Sequence, residues 1–248
     1  PKLAFPMACV PGRSCEIQHY VDRDPGPGVR DYRCGVQTYE GHNGIDIRVP
    51  DMTAQRRGVD VLAAAPGRAS RLRGGVADIS IRAPGAPAVA NQECGNGVVV
   101  DHGDGWETQY CHMARGSLRV KQGDAVVAGA PLGRVGLSGN TEFPHLHFTV
   151  RRAGVVVDPF APTPGAACGV QAGLWTAQAQ GAMTYRQGAV LNAGFATGPV
   201  SLEQAETGEI AAPGRTAPWM VIYVRSIGLQ AGDETEMDLR GPDGASLA

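Results

Sequence analysis

The stretch FPHLHFTV, Phe143 to Val150, sets two histidines two residues apart inside an apolar run. On a β-strand side chains alternate between faces, so His145, His147 and Thr149 share one face and Leu146, Phe148 and Val150 share the other. The apolar set can bury in a core. The polar set carries two imidazoles about 7 Å apart at their Cα atoms, a spacing that can hold a metal ion or flank one. Two further segments offer the same chemistry: GHNGID places His42 and Asp46 four residues apart, and TQYCHM brings in His112. A helix would put His42 and Asp46 on one face. Gly44 and the alternation of Ile45, Ile47 and Val49 argue instead for a loop entering a strand, with Asp46 pointing away from the apolar face. Two histidines and a carboxylate, with a fourth position left to water, suit catalytic zinc; a structural zinc site asks for four protein ligands, usually cysteines. An Asp ligand offsets one of the two metal charges and leaves enough to acidify a bound water toward a pKa of about 7. Imidazoles left beside such a centre suit general acid–base work, because they titrate near neutrality. Spacing alone leaves open which histidines bind the metal.

The other polar residues near these segments read as bystanders. His102 sits in a turn between Asp101 and Gly103, and His19 lies in an irregular lead-in. Tyr110 reads as a packed strand residue. Arg48 shares the Asp46 face and reads as a solvated surface charge rather than an anchor for a substrate carboxylate.

The elements that must hold these side chains are short strands joined by turns. With 35 glycines and 18 prolines in 248 residues, and 43% apolar residues, the chain suits an all-β protein with a sizeable core. Residues 1–40 read as an irregular, cysteine-containing lead-in. Residues 41–162 read as a β domain whose segment NGVVVDHGDGWETQY is a hairpin turning at His102–Gly105. Residues 163–169 form a linker, and 170–248 read as a small β-sandwich of immunoglobulin type, from AVLNAGF, PWMVIYVRSIG and TEMDLRGPDG. The six cysteines form no C-x-x-C pair, which speaks for disulfides and an oxidising compartment. The hairpin brings Cys94 near Cys111; Cys9 and Cys15 can close a small loop; Cys34 and Cys168 remain. Net charge is −2, which gives no electrostatic footprint for nucleic acid. Residues 1–169 carry 18 Lys+Arg against 16 Asp+Glu, and 170–248 carry 4 against 8, which supports two units. No apolar run reaches the roughly 18 residues of a membrane span. The chain begins at Pro1 without a Met, so a removed signal peptide and a periplasmic or secreted location are expected.

In this order, His42-x-x-x-Asp46, Tyr110-Cys111-His112 and His145-Leu146-His147 resemble the lysostaphin/LytM-type zinc metallopeptidases of the M23 family. Gly44-Ile45-Asp46-Ile47, the Asp101–Gly105 turn, the glycine-punctuated run from Val120 to Gly136, and Pro144 before the HxH pair extend the resemblance over roughly residues 40–160. It implies a LytM-type antiparallel sheet with a substrate groove. It implies Zn2+ held by His42, Asp46 and His147, with His112 and His145 as the catalytic pair, their division of labour left open. It further implies an endopeptidase that cuts peptide cross-links of bacterial peptidoglycan by a metal-activated water. The alternative is a catalytically silent or latent regulator of cell-wall hydrolases, its groove covered by the lead-in or the C-terminal unit. The full set of five residues speaks against the silent form. The C-terminal unit is expected to meet the cell wall or a protein partner.

Overall fold

The computed structural model describes residues 1–165, 168–169 and 172–246. Positions 166–167 of the expected linker, the first two residues of the C-terminal unit and its last two lie outside the described residues. The strands are β1 (Glu16–His19), β2 (Ile45–Arg48), β3 (Asp60–Leu62), β4 (Gly67–Arg73), β5 (Asn96–Asp101), β6 (Trp106–Met113), β7 (Ala125–Val126), β8 (Pro131–Arg134), β9 (His145–Arg152), β10 (Val155–Val156), β11 (Ala189–Ala196) and β12 (Val221–Ile227). Three short helices, α1 (Met52–Arg57), α2 (Ala177–Ala182) and α3 (Leu202–Thr207), complete the described elements.

The main sheet runs β1-β2-β9-β6-β5-β4-β7, with β10 pairing β9, and every pair in it is antiparallel. Its register settles which residues share a face. Ile45 lies opposite Phe148, which lies opposite Tyr110, and Ile47 lies opposite Leu146; all five are fully buried. Below them β3 and β8 form a second, two-stranded sheet that contributes Val61 and Leu132 to the same core. Tyr110 is a packed residue, as its place in the strand suggested. Its hydroxyl accepts from the Ala64 N–H at 2.7 Å, so the buried oxygen is satisfied.

The β5–β6 hairpin turns at His102–Gly105, with Gly103, Asp104 and Gly105 all in the left-handed region. Two glycines make that backbone accessible. His102 is a clip for this turn: its Nδ1 donates to the Pro66 carbonyl at 2.7 Å and its Nε2 meets Thr108 Oγ1 at 2.8 Å. The three cysteine pairs are Cys94–Cys111, Cys9–Cys15 and Cys34–Cys168, the set read from the sequence. The last ties the lead-in to the segment that follows the domain, across 134 residues of chain.

Two expectations need correction. The lead-in is not wholly irregular, because β1 extends the sheet edge and pairs with β2. No sandwich forms among the described residues of 172–246; β11 and β12 pair with each other alone. The reason lies in the side chains. Of β11 only Leu191 and Ala196 bury, while Val190, Phe195, Trp219 and Met220 stay exposed, so no second apolar layer covers the hairpin. TEMDLRGPDG is too acidic and turn-rich to supply the missing strand, and contributes only an isolated bridge, Arg240 to Ser246. The N-terminal part of this region instead joins the main core through Trp175, Ala179 and Met183.

Candidate metal centre

The site lies on the sheet face opposite the core. Asp46 of β2, His147 of β9 and Cys111 of β6 stand in one row across three strands. His145, two residues before His147, falls on the same face. His42 arrives from the loop before β2, and Gly44 lets that loop come close. A Cβ at Gly44 would stand 2.7 Å from both His147 Nε2 and the Phe148 carbonyl oxygen. The glycine in GHNGID is therefore a requirement of the approach.

His112 reaches this face differently. Strict alternation after Cys111 would send it into the core beside Tyr110. Instead its backbone is left-handed, φ +60°, next to a register shift between β5 and β6. A non-glycine residue there costs about 1–2 kcal/mol, and the surroundings hold it in place. Its N–H donates to Cys94 O at 2.8 Å, its carbonyl accepts from Gly136 N–H at 2.9 Å, and the Cys94–Cys111 disulfide fixes the residue before it.

The inward atoms form a compact set. His42 Nε2 lies 3.2 Å from Asp46 Oδ1 and 3.2 Å from His147 Nδ1, and His147 Nδ1 lies 2.8 Å from Asp46 Oδ1. A tetrahedral zinc with bonds of about 2.0–2.1 Å spaces its ligand atoms about 3.3–3.4 Å apart, so this triangle fits such an ion. His145 Nε2 lies 3.3 Å from the same Oδ1. A second triad, His112, His145 and His147, also gathers within 4.8 Å. Only the first triad includes a negative charge.

The outward nitrogens explain the inward ones. Nδ1 of His42 faces Tyr20 O at 2.7 Å, Nδ1 of His112 faces Ser138 O at 2.8 Å, and Nδ1 of His145 faces Phe143 O at 2.9 Å. A carbonyl only accepts, so each Nδ1 carries its proton outward and each neutral ring turns the lone pair of Nε2 inward. Donation from His147 Nε2 to Asn43 Oδ1, at 3.1 Å, likewise frees Nδ1. Imidazole lone pairs and one carboxylate then converge on a common point, an arrangement that calls for a cation.

The titration behaviour follows. Burial pushes the Asp46 carboxyl upward, but His145 and His42 outweigh it and hold the group well below the usual carboxylate range. Burial lowers His42, and Asp46 beside it outweighs burial and raises it. Burial, then the like charges of His145 and His147, hold His112 well below the usual range and favour its neutral form. Burial also lowers His147.

The structure therefore brings together all five residues singled out from the sequence. It adds one that was set aside. His19, on β1, places Nδ1 3.0 Å from Asp46 Oδ2, the carboxylate oxygen turned away from the triangle. No local signal marked it: the four-residue EIQH strand is evenly half-buried and shows no alternation. Arg48 is corrected too. It is buried, hydrogen-bonded to Gln18, paired with Glu206 of α3 at 2.9 Å, and stacked over the Phe143 ring at 4.3 Å. It is neither solvated nor open to a substrate.

A cleft of about 300 Å³ opens beside His112 and His147, with Tyr39, Asn43 and Asn140 at its walls. Residues 40–159 match the model of Peptidase family M23. That segment, just under half of the chain, belongs to peptidase family M23. It is 34% identical over 125 residues to the cell division protein DipM of Caulobacter vibrioides, a match covering 50% of this chain and 17% of that protein. It is 32% identical over 132 residues to the DD-carboxypeptidase/endopeptidase Mpg of Neisseria meningitidis serogroup B, covering 52% of this chain and 25% of that one. The chain thus spans a quarter or less of the length of these curated relatives. Among solved structures it is similar to a mutant catalytic domain of the prophage-encoded M23 protein EnpA from Enterococcus faecalis (24% identity, TM-score 0.44, 66% of this chain and 98% of that one). It is also similar to the catalytic domain of lysostaphin from Staphylococcus simulans (23% identity, TM-score 0.36, 57% and 85%).

Proposed function

We propose that this M23 peptidase is a zinc-dependent endopeptidase that hydrolyses peptide cross-links of bacterial peptidoglycan. The observation that carries the reading is the turning of the imidazole lone pairs and the Asp46 carboxylate toward one point, with the Nδ1 protons of His42, His112 and His145 directed outward. His42, Asp46 and His147 would hold the ion. Zinc bound there supplies a Lewis acid that polarises a carbonyl and acidifies a water. His112 and His145 stand beside it with Nε2 lone pairs free to take a proton, and their rings lie 4.6 Å apart, centre to centre. Once protonated, either donates a hydrogen bond to a developing oxyanion or a proton to the leaving amine. The Neisseria relative, named a DD-carboxypeptidase/endopeptidase, supports a peptide bond as the target.

The same reading takes 41–162 as the peptidase unit, 1–40 as a lead-in that closes one flank of the site, and 170–248 as an accessory unit for the wall or a protein partner. It places the protein in the periplasm or outside the cell, where three disulfides persist. No helix among the described residues is long and apolar enough to cross a membrane. The test is digestion of purified muropeptides by the full chain with and without chelator, with mass analysis of the products. Chelator-sensitive cleavage of a cross-link is expected; intact cross-links in the presence of stoichiometric zinc would overturn the reading. That second result would favour a latent or silent regulator.

A further inference from the structure

The 300 Å³ cleft beside the candidate centre does not end at His147. It shares Cys94, Gln109 and Arg151 with a larger cavity of about 540 Å³ on the same sheet face. The register explains the continuity. Cys111 faces His147, Gln109 faces Thr149 and Glu107 faces Arg151 between β6 and β9, and Arg71 lies in the Gln109 row through Val99. The face opposite the core thus runs from the metal triangle to a group of three arginines. Arg71 is paired with Glu107 at 3.0 Å, and Arg73 is felt by Glu93. Arg151 feels Glu107 across β6 and β9, but Glu107 makes its ion pair with Arg71 instead. Arg151 Nη1 donates to Gln109 Oε1 at 2.5 Å, and among the described residues no carboxylate lies within ion-pair distance of it. Gln109 is itself held, through Nε2 to Cys94 Sγ at 3.4 Å. A half-buried guanidinium, oriented by a neutral amide and open to a cavity, is set to receive an anion, with further N–H donors beyond the one spent on Gln109.

We infer that Arg151, oriented by Gln109, binds a free carboxylate of the substrate's stem peptide, remote from the scissile bond. The inference rests on the peptidase reading for the direction in which the peptide lies. Arg151 is four residues beyond His147 on one strand, about 13 Å at a rise of 3.3 Å per residue. The recognised carboxylate therefore sits about four residues of extended peptide from the bond under attack.

The test uses two ligands: a tetrapeptide-stem dimer with its carboxylates free, and the same dimer with those carboxylates amidated. Binding of each to the full chain is measured by calorimetry with chelator present, and cleavage of each by the zinc-loaded chain is followed in parallel. The unmodified chain is expected to bind the free form roughly tenfold or more tighter, the value of one charge-assisted pair. Arg151→Gln is expected to bind both forms alike. Arg71→Gln, a change at a mostly exposed side chain, frees Glu107 to compete for Arg151 and is expected to reduce the preference, so the proposal stays testable should the first variant fold poorly. Equal binding of the two dimers by the unmodified chain, binding of neither, or a full preference surviving in both variants overturns the carboxylate site. Preferential binding without cleavage would sink the peptidase reading and leave this site standing.

Discussion

Asp158 offers a stability test whose size can be worked from its surroundings. It ends the β domain with 6% of its surface exposed, and its Oδ2 finds no hydrogen-bond partner among the described residues. The nearest cation, Arg23, stands at 4.0 Å, while Oδ1 accepts from the Phe160 N–H at 2.9 Å. Burial dominates and pushes its pKa from 3.8 to about 6. The folded protein therefore holds a proton that the unfolded chain releases near pH 4. Between about pH 4 and 6 the native state binds more protons than the unfolded state, so stability falls as pH rises through that window. Above it both states are ionised and the native state carries the full penalty. Two pKa units correspond to about 3 kcal/mol. Asp158→Asn removes the titration while its amide oxygen still accepts from Phe160. The difference in unfolding free energy between variant and parent is thus expected to move by about 2.4 kcal/mol in the variant's favour from pH 4 to pH 7, the rest of the penalty falling below pH 4. Urea unfolding of both proteins across this range, with chelator present and disulfides intact, measures that difference. Other groups that titrate here, Glu16 among them, cancel in the comparison. A difference that is flat from pH 4 to pH 7 would refute the argument.

Three further outcomes are expected. His19→Ala removes the partner of Asp46 Oδ2 and should weaken zinc binding about ten- to hundredfold, the usual cost of losing a group that orients a ligand; calorimetry with zinc reads it, and unchanged affinity would show that β1 does not orient the carboxylate. His112→Ala should keep its zinc while cleavage of muropeptides slows by about 10²–10⁴; loss of the metal would instead make His112 a ligand. Glu206→Gln strands the guanidiniums of Arg48 and Arg225, both within 2.9 Å of Glu206 Oε2. Breaking such a buried cluster should cost about 3 kcal/mol, seen by urea unfolding, and a cost below measurement error would mean that solvent already screens the group.

How much of this was legible beforehand depends on whether a residue obeys a local rule. Asp46, His145 and His147 sit in strands that alternate, so their common face could be read from FPHLHFTV and GIDIRVP. The hairpin fixed Cys94 near Cys111 for the same reason. His112 breaks the alternation: TQYCHM offered the imidazole, but its position depends on one left-handed residue and a register shift that leave no mark there, and only the family resemblance gave it a role. His19 lies 27 residues before Asp46 and meets it through a pairing with β2 that no local pattern announces. Arg48 was misread because β2 was expected to have one wet face. Both of its faces are buried, one by the core and the other by the lead-in and α3. The C-terminal sandwich was misread because β-propensity marks strands but not whether enough of them exist to cover one another.

The outward anchoring of the three histidines bears on function more directly than their proximity does. A cluster selected for stability alone would turn N–H donors toward Asp46, since a buried carboxylate gains from them. Here the Nδ1 protons of His42, His112 and His145 point to Tyr20, Ser138 and Phe143 carbonyls, and the electron-rich nitrogens face the carboxylate at 3.2 Å and 3.3 Å in two of the three cases. Neutral rings so placed gain little from that carboxylate without a proton or a metal between them. The left-handed His112 adds strain in the same place. The local sequence tolerates both because the core face beneath, Ile45, Ile47, Leu146 and Phe148, is fully buried and holds β2 and β9 in register. A cation would turn the unfavourable part of this arrangement into the favourable one, which is why metal-linked chemistry, rather than a structural role for the histidines, is the reading the geometry supports.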